Sequence, residues 1–358
     1  MFWYLFFATI PVLVSMAVSF GYKKSIKFND KARRTFLLWC GIAMFMMIAL
    51  RHKDVGSNDS NNYFENWELL SSLSFDGFKA FTIESNFETG YLLFVWVFSH
   101  IFPSGQAVFI LSAILFTVAV CKFIYINSDD PELSFVMYIC LGLYTFMAQG
   151  LRQSMAMSIC LFAIEFCKKR KFLPFMLLVL LATTFHTSAI VFAIIYFIYG
   201  FTLNIRTGIL SIGMSGLLLI FSRQLAAIGN MLFEREYEGE VEAGGFVAVA
   251  IYIIILVVAI VFSGKRRKDR DYSFFFFMTM LGAVFYLMRY TEVQIAERIS
   301  FYFMFGQLIV LPNAISRFDK QVAFIVKCVV MALSFLLFAY RLQGDGLVVY
   351  RFFWQVAV

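Results

Sequence analysis

Two residues of this chain sit where apolar sequence makes polar groups expensive. Arg152 lies in MAQGLRQSMAMS, where one apolar run ends and another begins, and His186 lies in LLATTFHTSAIVF. An arginine at the centre of a membrane helix costs about 2.5–3.5 kcal/mol on insertion scales, so it is kept where it faces a partner or a water-filled cavity. Gln149 and Gln153, at i−3 and i+1, make a polar cluster with Arg152. The residue reads either as a snorkelling interfacial arginine or as an anion binder. His186 is one of three histidines, with His52 and His100. It reads either as a hydrogen-bonded structural residue or as a general base.

A second group of candidates is acidic. Segment 51–90 holds three Lys/Arg against seven Asp/Glu, opening RHKDVGSNDSNNYFENWELL and closing ESNFETGYLL. Asp59 and Tyr63 are four apart and share a helix face if the segment is helical. Glu88 and Tyr91 stand where the chain re-enters apolar sequence. Further on, Arg289 and Arg298 bracket YLMRYTEVQIAERISFYF, with Glu292 and Glu297 as ion-pair partners if the group is an interfacial salt-bridge cluster. Arginine forks also bind phosphate bidentately, and an anionic ligand explains cations gathered on a face where such residues are disfavoured.

The elements that must position these residues are membrane helices. Of 358 residues, 61% are hydrophobic, 19% aromatic and 15% charged, and the mean hydropathy is +0.80. Soluble domains run at about 45–50% apolar and 25% charged, so a soluble globule is excluded. The expected fold is all-α: one integral membrane domain over residues 1–358 with about 12–13 hydrophobic helices. Candidate spans fall near 2–20, 35–50, 89–102, 106–126, 133–149, 151–167, 172–185, 187–201, 207–222, 246–263, 273–290, 299–316 and 321–340. Residues 172–201 are expected to form a hairpin turning at His186.

Basic clusters at 23–34, 168–171 and 265–270, closed by Arg317 and Lys320, assign one side as cytoplasmic. Segments 51–90 and 223–245 are then loops of the opposite face, with both termini on that side. Putting 23–34 and 168–171 on one side requires an even number of crossings between them, yet five candidates lie there. The weakest, 89–102, is expected to be a re-entrant or half helix that returns at Pro103-Ser104-Gly105; such backbone is tolerated only against protein or a cavity. The net charge of +7 suits cytoplasmic loops, not nucleic acid. The six cysteines lie in apolar runs without a C-x-x-C, and no metal-ligand cluster is evident, so neither metal nor cofactor is expected.

Taken together these motifs resemble the EpsG family of Wzy-like exopolysaccharide polymerases. The matching pieces are Arg51, Gly56, Asp59 and Tyr63; Glu88, Gly90 and Tyr91; Arg152, Gln153 and Ala156; Phe185, His186, Ser188 and Ala189; and Arg298, Tyr302, Phe303 and Pro312. The family usually sets Asp directly after Gly-Thr or Gly-Ser, whereas Asn58 intervenes here, which leaves Asp54 or Asp59 for that role. The resemblance implies a GT-C-like fold in the bacterial cytoplasmic membrane. It also implies a polymerase that joins repeat units on undecaprenyl diphosphate at the outer face, with lipid-linked donor and acceptor, membrane lipids, and a flippase and chain-length regulator of the same pathway as partners.

In that reading His186, Asp59 or Glu88 activates the acceptor hydroxyl. Arg152, Gln153, Arg298, Arg289, Arg51, Tyr63, Tyr91 and Tyr302 bind the substrate and its diphosphate. Two other classes fit a cationic intramembrane lining. A flippase for lipid-linked sugars needs access from the cytoplasmic side, while the polar candidates collect at the other face. A membrane acyltransferase also sets a histidine and an arginine in the bilayer, but takes its acyl donor from the cytoplasm.

Overall fold

The computed structural model describes residues 2–21, 30–55, 59–225, 227, 246–291, 294–344 and 350–355. Among them the chain forms seventeen α-helices, with no strand beyond two isolated bridges. The protein is an all-α polytopic membrane protein. Among the described residues four helices are long and apolar enough to cross a bilayer alone, or six when each of two bent pairs counts as one span. Six shorter apolar helices, of 10–17 residues, accompany them among the described residues.

The passes run between two ends of one bundle. Helix α1 (Phe2–Gly21) starts at what we call the far end, where Trp3 meets Phe352 at 5.0 Å and Phe352 bridges to Arg51. Helix α2 (Asp30–Ala49) climbs from the basic end, where Arg33 donates to the carbonyls of Tyr125 and Ser128. The next three helices, α3 (Asp59–Ser71), α4 (Phe75–Glu84) and α5 (Thr89–Ile101), stay at the far end. Helix α6 (Gln106–Asn127) descends: Gln106 donates to the carbonyls of Ala49 and Arg51, and Asn127 accepts from Lys168 at 2.7 Å.

Helices α7 (Pro131–Cys140) and α8 (Leu143–Gln149) climb as one pass bent by 54°. Gly142, at φ +94°, supplies the left-handed residue at the break. Helix α9 (Leu151–Lys168) descends and α10 (Phe172–Phe185) climbs to His186. The chain returns through a 3-10 turn (Thr187–Ala193) and α11 (Ile194–Ile198), and Arg170, just before α10, donates to the carbonyls of Tyr196 and Tyr199. The two strokes are thus the expected hairpin.

Helices α12 (Ile205–Ile220), α13 (Phe246–Phe262) and α14 (Arg270–Met288) follow as up, down and up strokes. Phe246 stacks on Tyr290 at the far end, and Phe262 meets Phe318 edge-to-face at the basic end. Helices α15 (Gln294–Met304) and α16 (Gln307–Ile315) descend with a 41° bend, bringing Asn313 to the carbonyl of Asn127. Helix α17 (Lys320–Gly344) climbs last, and the Tyr350 hydroxyl donates to the carbonyl of Met47.

The parity problem resolves at α5. Its 13 residues rise about 20 Å, short of a 30 Å bilayer core. Its first turn lies against the far end of α10, and Trp67 of α3 donates to the carbonyl of Phe102 just after it. The chain then starts α6 beside Arg51, so both ends of α5 sit at the same end of the bundle. Segment 51–90 carries α3 and α4, so the helix face shared by Asp59 and Tyr63 exists, and α4 is capped by Ser74, whose hydroxyl accepts from the Gly77 amide. Buried Trp67, Leu70 and Phe78 anchor these helices by apolar contact. Most of the expected second loop, 226 and 228–245, lies outside the described residues, as do Gly56 and Glu292.

Candidate active site

Helices that begin or end at the far end bring together residues from five remote segments. Glu88 occupies the position before α5, and Arg152 lies in the first turn of α9. Arg152 Nη1 donates to Glu88 Oε2 at 2.5 Å, with side-chain exposures of 16% and 4%. The other carboxylate oxygen accepts from the Thr187 amide at 3.4 Å. Glu88 therefore ties the start of α9 to the turn that follows His186. The guanidinium also lies 4.3 Å over the ring of Phe87 and meets Tyr63 of α3. A desolvated cation gains from both the carboxylate and the ring face.

Gly90 explains how α5 reaches this seat. A β-carbon there would stand 2.1 Å from Thr184 Oγ1 and 2.8 Å from the Thr184 carbonyl oxygen, so the backbones of α5 and α10 touch only because the side chain is absent. The next residue, Tyr91, is fully buried, its ring edge-to-face with Tyr63 at 5.8 Å and with Phe87 at 5.8 Å. These rings make an aromatic wall beside the Glu88–Arg152 pair.

His186 stops α10 because its backbone is extended, with φ −157° and ψ 118°. Its Nδ1 lies 2.7 Å from Ser188 Oγ, which lies 3.2 Å from the Tyr302 hydroxyl of α15. All three side chains are buried. Gln153, beside Arg152, donates from Nε2 to the Arg298 carbonyl at 2.6 Å. That bond fixes the turn of α15 carrying Arg298, which is exposed, and Tyr302, four residues on. Phe301 stacks on Phe146 of α8 at 3.8 Å, closing the seam between them.

Of the residues singled out in the sequence, the structure groups Glu88, Arg152, Gln153, His186, Tyr63, Tyr91, Arg298 and Tyr302. Arg289 stands apart: its Nη1 donates to Glu297 at 3.0 Å and to the Tyr286 hydroxyl at 2.7 Å, the ion-pair arrangement weighed above. Arg51 is buried elsewhere. Its guanidinium donates to the Ala148 carbonyl and covers the Phe109 ring at 4.3 Å, which joins the ends of α2, α6 and α8. Asp59 opens α3, but its side chain lies outside the description. One participant escapes the sequence reading, Phe87, signalled only by standing next to Glu88, while Ser188 is named within the His186 motif but given no role there.

Chemically the cluster offers a buried imidazole, a carboxylate paired with an arginine and an aromatic wall, with Arg298 exposed on the adjoining turn of α15. Among the described residues no group of three or more His, Cys, Asp or Glu converges as a metal site would need. Comparison with curated proteins and with solved structures returns no match. The EpsG family matches residues 34–352, nearly the whole chain and every segment of the cluster, so the chain belongs to the EpsG family of multi-pass membrane proteins with a polysaccharide-polymerase-like role.

Proposed function

We propose that this protein joins oligosaccharide repeat units carried on undecaprenyl diphosphate, at the outer face of the bacterial cytoplasmic membrane. The supporting observation is the network in which Glu88, Arg152 and the His186 turn are hydrogen-bonded together at the end of the bundle opposite the basic clusters. By the positive-inside rule that end faces outward.

In this reaction a hydroxyl of the acceptor unit attacks the anomeric carbon of the donor. The bond from that carbon to the diphosphate oxygen breaks, the hydroxyl proton passes to a base, and the lipid diphosphate departs as an anion. His186 is the base in this reading, since Ser188 and Tyr302 fix its ring, whereas both oxygens of Glu88 are engaged, by Arg152 and by the Thr187 amide. A well-placed base contributes about 10²–10⁴ in rate. Arg152 and Arg298 receive the diphosphate, whose charge grows as the bond breaks. Tyr63, Tyr91 and Phe87 offer the sugar its apolar face. The lipid-linked donor and acceptor, surrounding lipids, a flippase and a chain-length regulator are the partners this role requires.

The test is polymer length in cells carrying His186→Ala at equal protein level. Single lipid-linked units accumulating at the outer face support the reading. Units trapped at the cytoplasmic face would replace it with a flippase, and intact polymer lacking acyl groups with an acyltransferase.

A further inference from the structure

Away from the far-end cluster, a groove of about 600 Å³ runs along the seam of α2 and α6. Its walls are apolar: Leu38, Ile42 and Phe45 on one side, Ile114 and Val118 on the other. Its charged lining gathers at one end, where Arg34 and Lys122 stand with Tyr125, and Thr117 lies among the apolar walls. From Arg34 to Phe45 is eleven residues, about 16 Å of helix, which equals the hydrocarbon depth of one leaflet, half of about 30 Å.

Charge identifies the occupant. Arg34 shares Asp30, at 2.8 Å, and the Tyr125 hydroxyl, at 3.1 Å. Arg33 beside it spends its donors on the carbonyls of Tyr125 and Ser128, which leave its charge in place. Lys122, one turn before Tyr125, rests 5.1 Å from the ring of Phe162, and no described carboxylate pairs with it. Three cations against one carboxylate make a net positive mouth on an apolar slot. A zwitterionic headgroup would bring its own ammonium to that mouth, whereas an anionic phosphodiester complements it.

We propose that the α2–α6 seam binds one anionic phospholipid of the leaflet at the basic end, its acyl chain along the apolar walls and its phosphate between Arg34 and Lys122. The site lies at the opposite end of the bundle from Arg152 and His186, so it stands or falls apart from the proposed reaction.

The experiment titrates the purified full-length protein in detergent with phosphatidylglycerol or phosphatidylcholine and counts bound lipid by native mass spectrometry. One phosphatidylglycerol should persist where phosphatidylcholine is stripped. Arg34→Ala with Lys122→Ala should weaken it by roughly twenty- to thirty-fold, at about tenfold per 1.4 kcal/mol and a standard contribution per cation. Val118→Trp, which fills the groove from its exposed wall and leaves the cations intact, should abolish that adduct with the melting temperature unchanged. Equal retention of both lipids, or an adduct that survives both variants, overturns the proposal. So does a shift from dimer to monomer in Val118→Trp without lipid loss, which would make a second copy of the chain the occupant.

Discussion

Arg152 is asked to do two things, and the two separate experimentally. Its ion pair with Glu88 is well buried, at 16% and 4% side-chain exposure. Two unit charges about 4 Å apart interact by about 4 kcal/mol at an effective dielectric of 20. Removing one partner of a buried pair costs about 3–5 kcal/mol, mostly because the other is stranded. Arg152→Met should therefore lower unfolding stability in detergent by about that much. Adding Glu88→Gln removes the stranded charge while keeping an acceptor for the Thr187 amide, and most of the loss should return. Polymer synthesis should not return, because the diphosphate still lacks its cation. Arg152→Lys should restore it only in part, since a point charge lacks the planar fork. The assay pairs thermal unfolding of purified protein with polymer length in cells at matched protein level. Full-length polymer from the Arg152→Met, Glu88→Gln protein would refute the phosphate assignment. A single Arg152→Met variant as stable as the parent would refute the burial argument beneath it.

Other expectations follow from the same geometry. Gly90→Val drives a side chain into Thr184 and should cost at least about 1–3 kcal/mol of stability, with α5 detached from α10, measurable as new protease sensitivity near residue 88. Lys327 of α17 pairs with Asp130 at 2.9 Å and with fully buried Glu132 at 2.5 Å, so Lys327→Met should destabilise by about 3–5 kcal/mol and Lys327→Met with Glu132→Gln by less, read by unfolding in detergent. Single cysteines within 168–171 should label only from the cytoplasmic side, and a cysteine at 354 only from outside; the reverse pattern inverts the assignment. Ser188→Ala removes the hydroxyl that holds the His186 ring and should slow polymerisation, read as shorter polymer at equal protein level, and Ser188→Thr, which keeps a hydroxyl, should recover it.

The helical class, the hairpin turning at His186 and the non-crossing helix near residue 89 were readable because hydrophobic runs and charge clusters report solvent directly. Less readable was the helical state of 51–90, whose anchors Trp67 and Phe78 are scattered among polar residues without a clean period. Arg51 shows the limit more sharply. A membrane arginine signals a buried partner or a ligand, and only three-dimensional proximity reveals that its partner is a carbonyl at the end of α8. Glu88 illustrates the converse: seven carboxylates in one segment are equivalent by composition, and what distinguishes this one is Arg152, sixty-four residues away.

Because α5 leaves and returns to the same end of the bundle, everything between Arg51 and Gln106 is an excursion that does not change the orientation of any helix after it. Such a stretch can lengthen, shorten or be exchanged without turning the rest of the protein inside out, a freedom denied to any single crossing helix. The acidic half of the Glu88–Arg152 pair sits on that excursion and the basic half on a crossing helix. A chain built this way can reshape the stretch that carries Glu88 while Arg152, and the orientation of the helix that places it, stay as they are.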